Sequence, residues 1–134
     1  MTLKTFLVED SPVIRDNLGA TLEEMLPLEV VGFAEDEAGA LRWLRDPQHG
    51  CDLVIVDIFL KGGSGLGVLR QLQAAQAAPV RVVLSNYATE DMRRQCLALG
   101  ATRVFDKSCE LDGLLDYCAV LAAGPPASTS PLLN

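Results

Sequence analysis

Five polar side chains interrupt apolar runs at the places where short strands should end. Glu9 and Asp10 follow Phe6-Leu7-Val8, Asp57 follows Leu53-Val54-Ile55-Val56, Ser85 follows Val80 to Leu84, and Lys107 stands just after Val104-Phe105. Two carboxylates held ~4 Å apart repel by about 4 kcal/mol at an effective dielectric near 20, so an acidic cluster needs a counter-charge or a raised pKa. A divalent cation meets that need. Oxygen ligands without Cys or His, and room for several waters, favour Mg²⁺. With charge balanced in this way, a carboxylate such as Asp57 can attack a phosphoryl donor, because the cation and Lys107 offset charge on the equatorial oxygens. Ser85 would donate a hydrogen bond to one of those oxygens. The resulting acyl phosphate carries about −1.5 to −2 charges, enough to draw a hydroxyl and an ammonium toward it and bias a nearby loop.

Such a site requires elements that end together. The apolar runs Phe6 to Val8, Val30-Val31, Leu53 to Val56, Val80 to Leu84 and Val104-Phe105 read as five strands. Between them apolar residues recur at helical spacing: Ile14, Leu18, Leu22 and Met25; Leu41 and Leu44; Leu66, Leu69 and Leu72; Met92, Cys96 and Leu99; Leu111, Leu114, Leu115 and Cys118. Ser11-Pro12 predicts an N-cap followed by a first-turn proline, and Gly100 a helix end. Strict alternation with continuous apolar strands predicts a doubly wound (βα)₅ α/β fold, a parallel sheet covered by helices on both faces as a three-layer sandwich. In a flavodoxin-like strand order of 2-1-3-4-5, the first and third strands are neighbours at the switch point where ligands bind, which gathers the three carboxylates.

Composition narrows the function classes. In a chain of 134 residues one domain can bury roughly 70% of its unfolded surface, enough for a single core. Hydrophobic residues at 49% and charged residues at 22% describe a packed globular protein, and a net charge of −7 argues against general nucleic-acid binding. No run is long enough for a signal peptide or a membrane span. Cys51, Cys96, Cys109 and Cys118 form no C-x-x-C pair, and His49 is the single histidine, so zinc spacing is absent and free thiols in the cytoplasm are expected. Residues 1–122 read as the domain, and 123–134, rich in Gly, Pro, Ser and Thr, as a mobile tail with no output domain.

The order Glu9-Asp10, Asp57, Ser85, Lys107, with Phe6 to Pro12, Leu53 to Asp57 and Gly100-Ala101 around it, resembles the receiver domain of two-component response regulators over residues 4–122. The resemblance implies Asp57 as phosphoacceptor, Mg²⁺ bound by Asp10 and Asp57 with Glu9 nearby and the Phe59 carbonyl as a further ligand, Ser85 as switch hydroxyl and Lys107 as phosphate-pairing lysine. It further implies a histidine kinase or histidine phosphotransfer protein as donor. A single-domain regulator of this type would signal to a downstream protein target, without direct nucleic-acid or membrane contact and without enzymatic turnover beyond its own phosphotransfer and slow dephosphorylation. Two positions depart from the family pattern. Many receivers place an aromatic three residues before the lysine, where this chain has Val104 with Phe105 one place later, and many follow the lysine with a cis proline, where Ser108 stands.

Two other classes use the same sheet edge. A phosphatase of the haloacid dehalogenase type needs a second Asp two residues after the first, and Phe59 occupies that place, removing the general acid. A flavodoxin-type binding module needs a phosphate loop after the first strand, where Glu9-Asp10 would repel phosphate. Single residues also have plain explanations. Gly62-Gly63-Ser64-Gly65 lacks the P-loop lysine and reads as a flexible lead into the third helix. His49 has no spaced partner, Trp43 suits core or edge packing, and Phe59 and Tyr87 suit the rim of a pocket. Phe105 is either core or, if exposed beside the last two helices, a docking residue.

Overall fold

A computed structural model describes residues 2–77, 79–86 and 88–123. Ten elements alternate along the chain: β1 (Leu3–Val8), α1 (Pro12–Met25), β2 (Leu28–Ala34), α2 (Glu37–Arg45), β3 (Leu53–Val56), α3 (Gly65–Ala74), β4 (Val80–Ser85), α4 (Glu90–Ala98), β5 (Arg103–Asp106) and α5 (Leu111–Ala122). The strands form one parallel sheet in the order β2-β1-β3-β4-β5, the flavodoxin-like arrangement expected from the alternation. Tyr87 and the tail from residue 124 onward lie outside the described residues.

Alternating side chains of the strands feed cores on the two faces of the sheet. Leu7, Leu53, Ile55, Val82, Leu84 and Phe105 pack with Leu18 and Leu22 of α1 and Leu114 and Cys118 of α5. On the opposite face Phe6, Val8, Val54 and Val56 meet α2 and α3, while Val83 and Val104 meet Leu69 of α3 and Cys96 of α4. That period-two division decides the aromatic question. Phe105 is 2% exposed, so it is core rather than docking surface, and Val104 fills the opposite face with no aromatic at its position.

Helix starts are set by side-chain caps. Ser11 Oγ accepts from the Ile14 amide ahead of Pro12, and Asp36 Oδ1 accepts from Gly39 at 2.7 Å. Thr89 Oγ1 caps α4 through Met92, and Gly100, at φ 98°, lets the chain turn left-handed after that helix. On the β2 edge, the Trp43 indole lies over Gly32, where a Cβ would sit 2.7 Å from Nε1, and stacks on Phe6 with centroids 4.2 Å apart. His49 also stacks on Trp43 and bonds its carbonyl at 2.8 Å, so its role is packing.

All four cysteines are free thiols. Burial pushes the Cys96 and Cys118 thiols up to about 11, and burial with the Asp52 charge does the same for Cys51, whereas Cys109 is exposed. An aromatic disulfide reagent at mildly alkaline pH should therefore modify Cys109 quickly and the other three about 100-fold more slowly, since the thiolate is the nucleophile. Cys109→Ser should remove the fast phase. A fast phase surviving that substitution would contradict the shielded placement of the others.

Candidate functional site

The parallel ladder continues one residue beyond three strands and thereby aligns the site. The Glu9 amide donates to Ala34 O on β2, the Asp57 amide to Val8 O on β1, and the Lys107 amide to Ser85 O on β4, each at 2.9 to 3.0 Å. These bonds bring residues far apart in sequence to one sheet edge. The carboxylates of Glu9, Asp10 and Asp57 offer oxygens that all lie within 4.8 Å of one another. They open on a cleft of about 160 Å³ whose lining also includes Ser11, Ile14, Phe59, Asn86 and Lys107.

Lys107 reaches across the sheet to pair with two of the acids. Its Nζ donates to Glu9 Oε1 at 2.5 Å and to Asp57 Oδ2 at 2.9 Å, with only 11% of the lysine side chain exposed. The remaining oxygens are also engaged: Glu9 Oε2 accepts from the Ser11 amide at 3.1 Å, and Asp57 Oδ1 from the Phe59 amide at 3.2 Å. Glu9 and Asp57 are 4% and 7% exposed, so their charges are poorly screened by water. Desolvation raises the Glu9 pKa despite its bonds to Lys107 and Ser11. For Lys107, burial opposes the charge, but the bonds and charges of Glu9 and Asp57 outweigh it and hold the ammonium above its ordinary value.

This donor set fits a hard divalent cation. One ammonium cannot neutralise three clustered carboxylates, and every offered ligand atom is oxygen, with no sulfur or imidazole in the cleft. Phe59, half exposed at the rim, sits in the turn that leaves Asp57 and bridges back to Ser64. Ser85 is fully buried at the end of β4 and is not among the cleft-lining residues; its neighbour Asn86 is. Asn86 has no place in the sequence reading and Ile14 figures there only as a helix-face apolar residue, although Asn86 directly follows a strand end and obeys the same rule as the other polar residues.

The turns around the site are bonded rather than loose. Ser108, in the place where many receivers have proline, donates its amide to Asp106 Oδ1 at 2.8 Å and its hydroxyl to the same oxygen, a connection proline could not make through nitrogen. The glycine-rich segment expected to be a flexible lead is fixed as well. Ser64 caps α3, and a Cβ on Gly65 would fall 2.2 Å from the Asp57 carbonyl, so only glycine lets α3 start this close behind the acid.

Fold and cleft together define a small parallel α/β domain that gathers three carboxylates and one lysine at a single sheet edge. The family model of the response regulator receiver domain matches residues 5–119, and the chain belongs to that family: it is the receiver domain of a two-component response regulator. A protein-glutamate methylesterase/protein-glutamine glutaminase of Myxococcus xanthus is 33% identical over 138 aligned residues, covering 96% of this chain but 39% of that protein. The chain thus spans well under half of that relative. Among solved structures, a LuxR-family two-component response regulator from an Aurantimonas species superposes with a TM-score of 0.82 at 23% identity, covering 92% of this chain and 87% of that one. The receiver domain of the response regulator NarL from Mycobacterium tuberculosis gives 0.81 at 21%, covering 92% and 98%. These two structures support the fold. Among the described residues, no helix is long and apolar enough to cross a membrane.

Removing the ammonium should expose the charge conflict. In metal-free protein, Lys107→Met leaves two buried carboxylates facing each other, with an expected loss of about 3 kcal/mol in unfolding free energy near neutral pH, measured by urea denaturation. In the native chain the raised Lys107 contributes its full stabilisation below the ordinary lysine range and loses it only as pH climbs through the raised value. The raised Glu9 shifts stability with pH in the same direction but costs stability while it is charged: it binds its proton more readily when folded, so acidification relieves the strain. The variant's deficit should therefore shrink toward about pH 5. An equal deficit at both pH values would contradict the pairing.

Proposed function

We propose that this receiver unit accepts a phosphoryl group on Asp57 from a histidine kinase or histidine phosphotransfer protein, in a Mg²⁺-dependent reaction, and reports it through altered contacts with a protein target. The observation that carries this reading is the Asp57 carboxylate in the lining of the cleft, within 4.8 Å of Glu9 and Asp10 oxygens and 2.9 Å from the Lys107 ammonium. Glu9, Asp10, Asp57 and the Phe59 carbonyl are the groups that would hold Mg²⁺, whose chemistry there is to neutralise charge on the phosphoryl oxygens.

The chain's own residues do the rest. An Asp57 oxygen forms the bond to phosphorus while the donor's bond to phosphorus breaks and its electron pair leaves with the donor. The Phe59 amide on Oδ1 and Lys107 on Oδ2 hold the carboxylate in one orientation before attack. Lys107 then has a new anion to pair with, since the phosphoryl group adds charge beside Glu9 and Asp57. With an apolar Phe59 two residues after the acceptor, no carboxylic acid stands there to protonate a leaving group, which supports a stored acyl phosphate over rapid turnover of phosphate esters.

Reporting the event requires a loop that can respond. Ser85, buried at the end of β4 and absent from the cleft lining, would have to come forward for its hydroxyl to reach a phosphoryl oxygen, carrying the β4–α4 connection with it. The Arg93 guanidinium ties that connection to the α4–β5–α5 face. Arg93 donates to Ala88 O at 3.0 Å, to Val104 O at 3.0 Å and to Glu110 Oε1 at 2.5 Å. A shift of Ala88 is therefore communicated to both β5 and the start of α5, which supports a protein-binding surface there as the output. All residues used by this reading lie between Glu9 and Glu110.

Incubation with a small acyl-phosphate donor and Mg²⁺, followed by intact-mass measurement, should show one phosphoryl addition to the native chain and none to Asp57→Asn. Lys107→Met should slow the addition by about 100-fold or more, the usual effect of removing one charge-stabilising donor. Equal addition to the native and Asp57→Asn chains would remove Asp57 from its role.

A further inference from the structure

The start of α3 lacks one half of its own cap, and another element supplies it. In a capping box the N-cap side chain bonds the amide of the third helical residue, whose own carboxylate reaches back to the N-cap amide. Here the N-cap is Ser64, whose hydroxyl accepts from Leu66, and the third helical residue is Gly67, which has no side chain to return the bond. The Ser64 amide instead donates at 2.9 Å to Oε1 of Glu37, from the first turn of α2 and 27 residues earlier in the chain. Glu37 sits where the missing side chain would go. A Cβ on Gly67 would fall 2.3 Å from Glu37 Oε2 and 2.4 Å from its carboxyl carbon.

Two further contacts fasten the same segment. The Glu37 amide donates to Gly62 O at 2.9 Å, and Gly63, at φ 79°, leaves no room for a Cβ beside Glu37 Cβ. From Ser64 the bonds run directly to the acceptor. Ser64 pairs with Phe59 in an antiparallel bridge, the Ser64 hydroxyl and Gly65 amide both donate to Ile58 O, and the Phe59 amide donates to Asp57 Oδ1. A carboxylate at a helix N-terminus is also favoured by the helix dipole.

We propose that Glu37, which lines no part of the acidic cleft, is a positioning residue for the cation site: it caps α3 in trans and so fixes the Asp57–Ser64 turn that presents Asp57 and Phe59. The inference rests on the Mg²⁺-dependent reading of that cleft. It explains why a glycine occupies the third position of α3, where a side chain would expel the Glu37 carboxylate.

Three variants of the full chain test it by Mg²⁺ calorimetry and by amide hydrogen exchange of the metal-free protein. Glu37→Ala should weaken Mg²⁺ binding by about tenfold, as loss of outer contacts to a metal site commonly does, and should speed exchange of the Ser64 amide. Glu37→Gln, which keeps an oxygen acceptor, should stay within about threefold of native on both readouts. Gly67→Glu placed in the Glu37→Ala chain should restore Ser64 protection and Mg²⁺ affinity by rebuilding the capping box locally. The proposal is overturned if Glu37→Ala binds Mg²⁺ as the native chain does, if the double variant recovers neither property, or if the native chain binds no Mg²⁺. Native protein that binds Mg²⁺ but takes no phosphoryl group on Asp57 would defeat the phosphoacceptor reading alone, and the exchange and calorimetric results would still decide the role of Glu37.

Discussion

Charge crowding at one end of the sheet is the constraint that the other features answer. Glu9, Asp10 and Asp57 place oxygens within 4.8 Å of one another, a separation at which two unit charges repel by about 3–4 kcal/mol at an effective dielectric near 20. Two of the three are nearly buried, so bulk water cannot relieve them. Lys107 binds Glu9 and Asp57 directly, yet the pKa of Glu9 remains raised because desolvation outweighs that help. A divalent cation would complete the balance, and a hard one would bring coordination positions that phosphoryl oxygens could share.

The fold makes this crowding tolerable by making it rigid. Strands β1 and β3 are adjacent and apolar on both faces, and the ladder bonds from Asp57 to Val8 and from Glu9 to Ala34 leave little freedom where the chains emerge. Behind the Asp57 side chain, Gly65 lets α3 press against the Asp57 carbonyl, and the Glu37 carboxylate closes the far end of the same turn. The Arg93 bonds form a separate strut on the opposite side of the site, spanning the β4–α4 connection, β5 and α5. One side of the cleft is thus braced for binding, while the other is connected to the surface that would carry the signal.

Sequence patterns that depend on chain-local physics were legible. Apolar runs broken by a charge located the strand ends, and with them Glu9, Asp10, Asp57, Ser85 and Lys107; the caps at Ser11 and Gly100 were equally plain. What stayed hidden depends on partners far along the chain. The Gly62–Gly65 segment reads as loose because composition reports the freedom of an isolated peptide, whereas Glu37, Ser64 and Ile58 supply its bonds in the folded state. Glu37 itself gave no signal, because its role depends on the absence of a side chain at Gly67, 30 residues later. Phe105 was ambiguous because β5 has only four residues, too few for alternation to assign a face without its neighbours.

The most direct test of the account is where a divalent ion settles. Titration of the isotope-labelled chain with Mn²⁺, a paramagnetic substitute for Mg²⁺, should broaden amide signals around Glu9, Asp10, Asp57 and Phe59 first, with saturation at one ion per chain and reversal by excess Mg²⁺. Broadening that never saturates, or that centres on exposed acids such as those of α4 instead of this cleft, would contradict the claim that the three carboxylates share one cation.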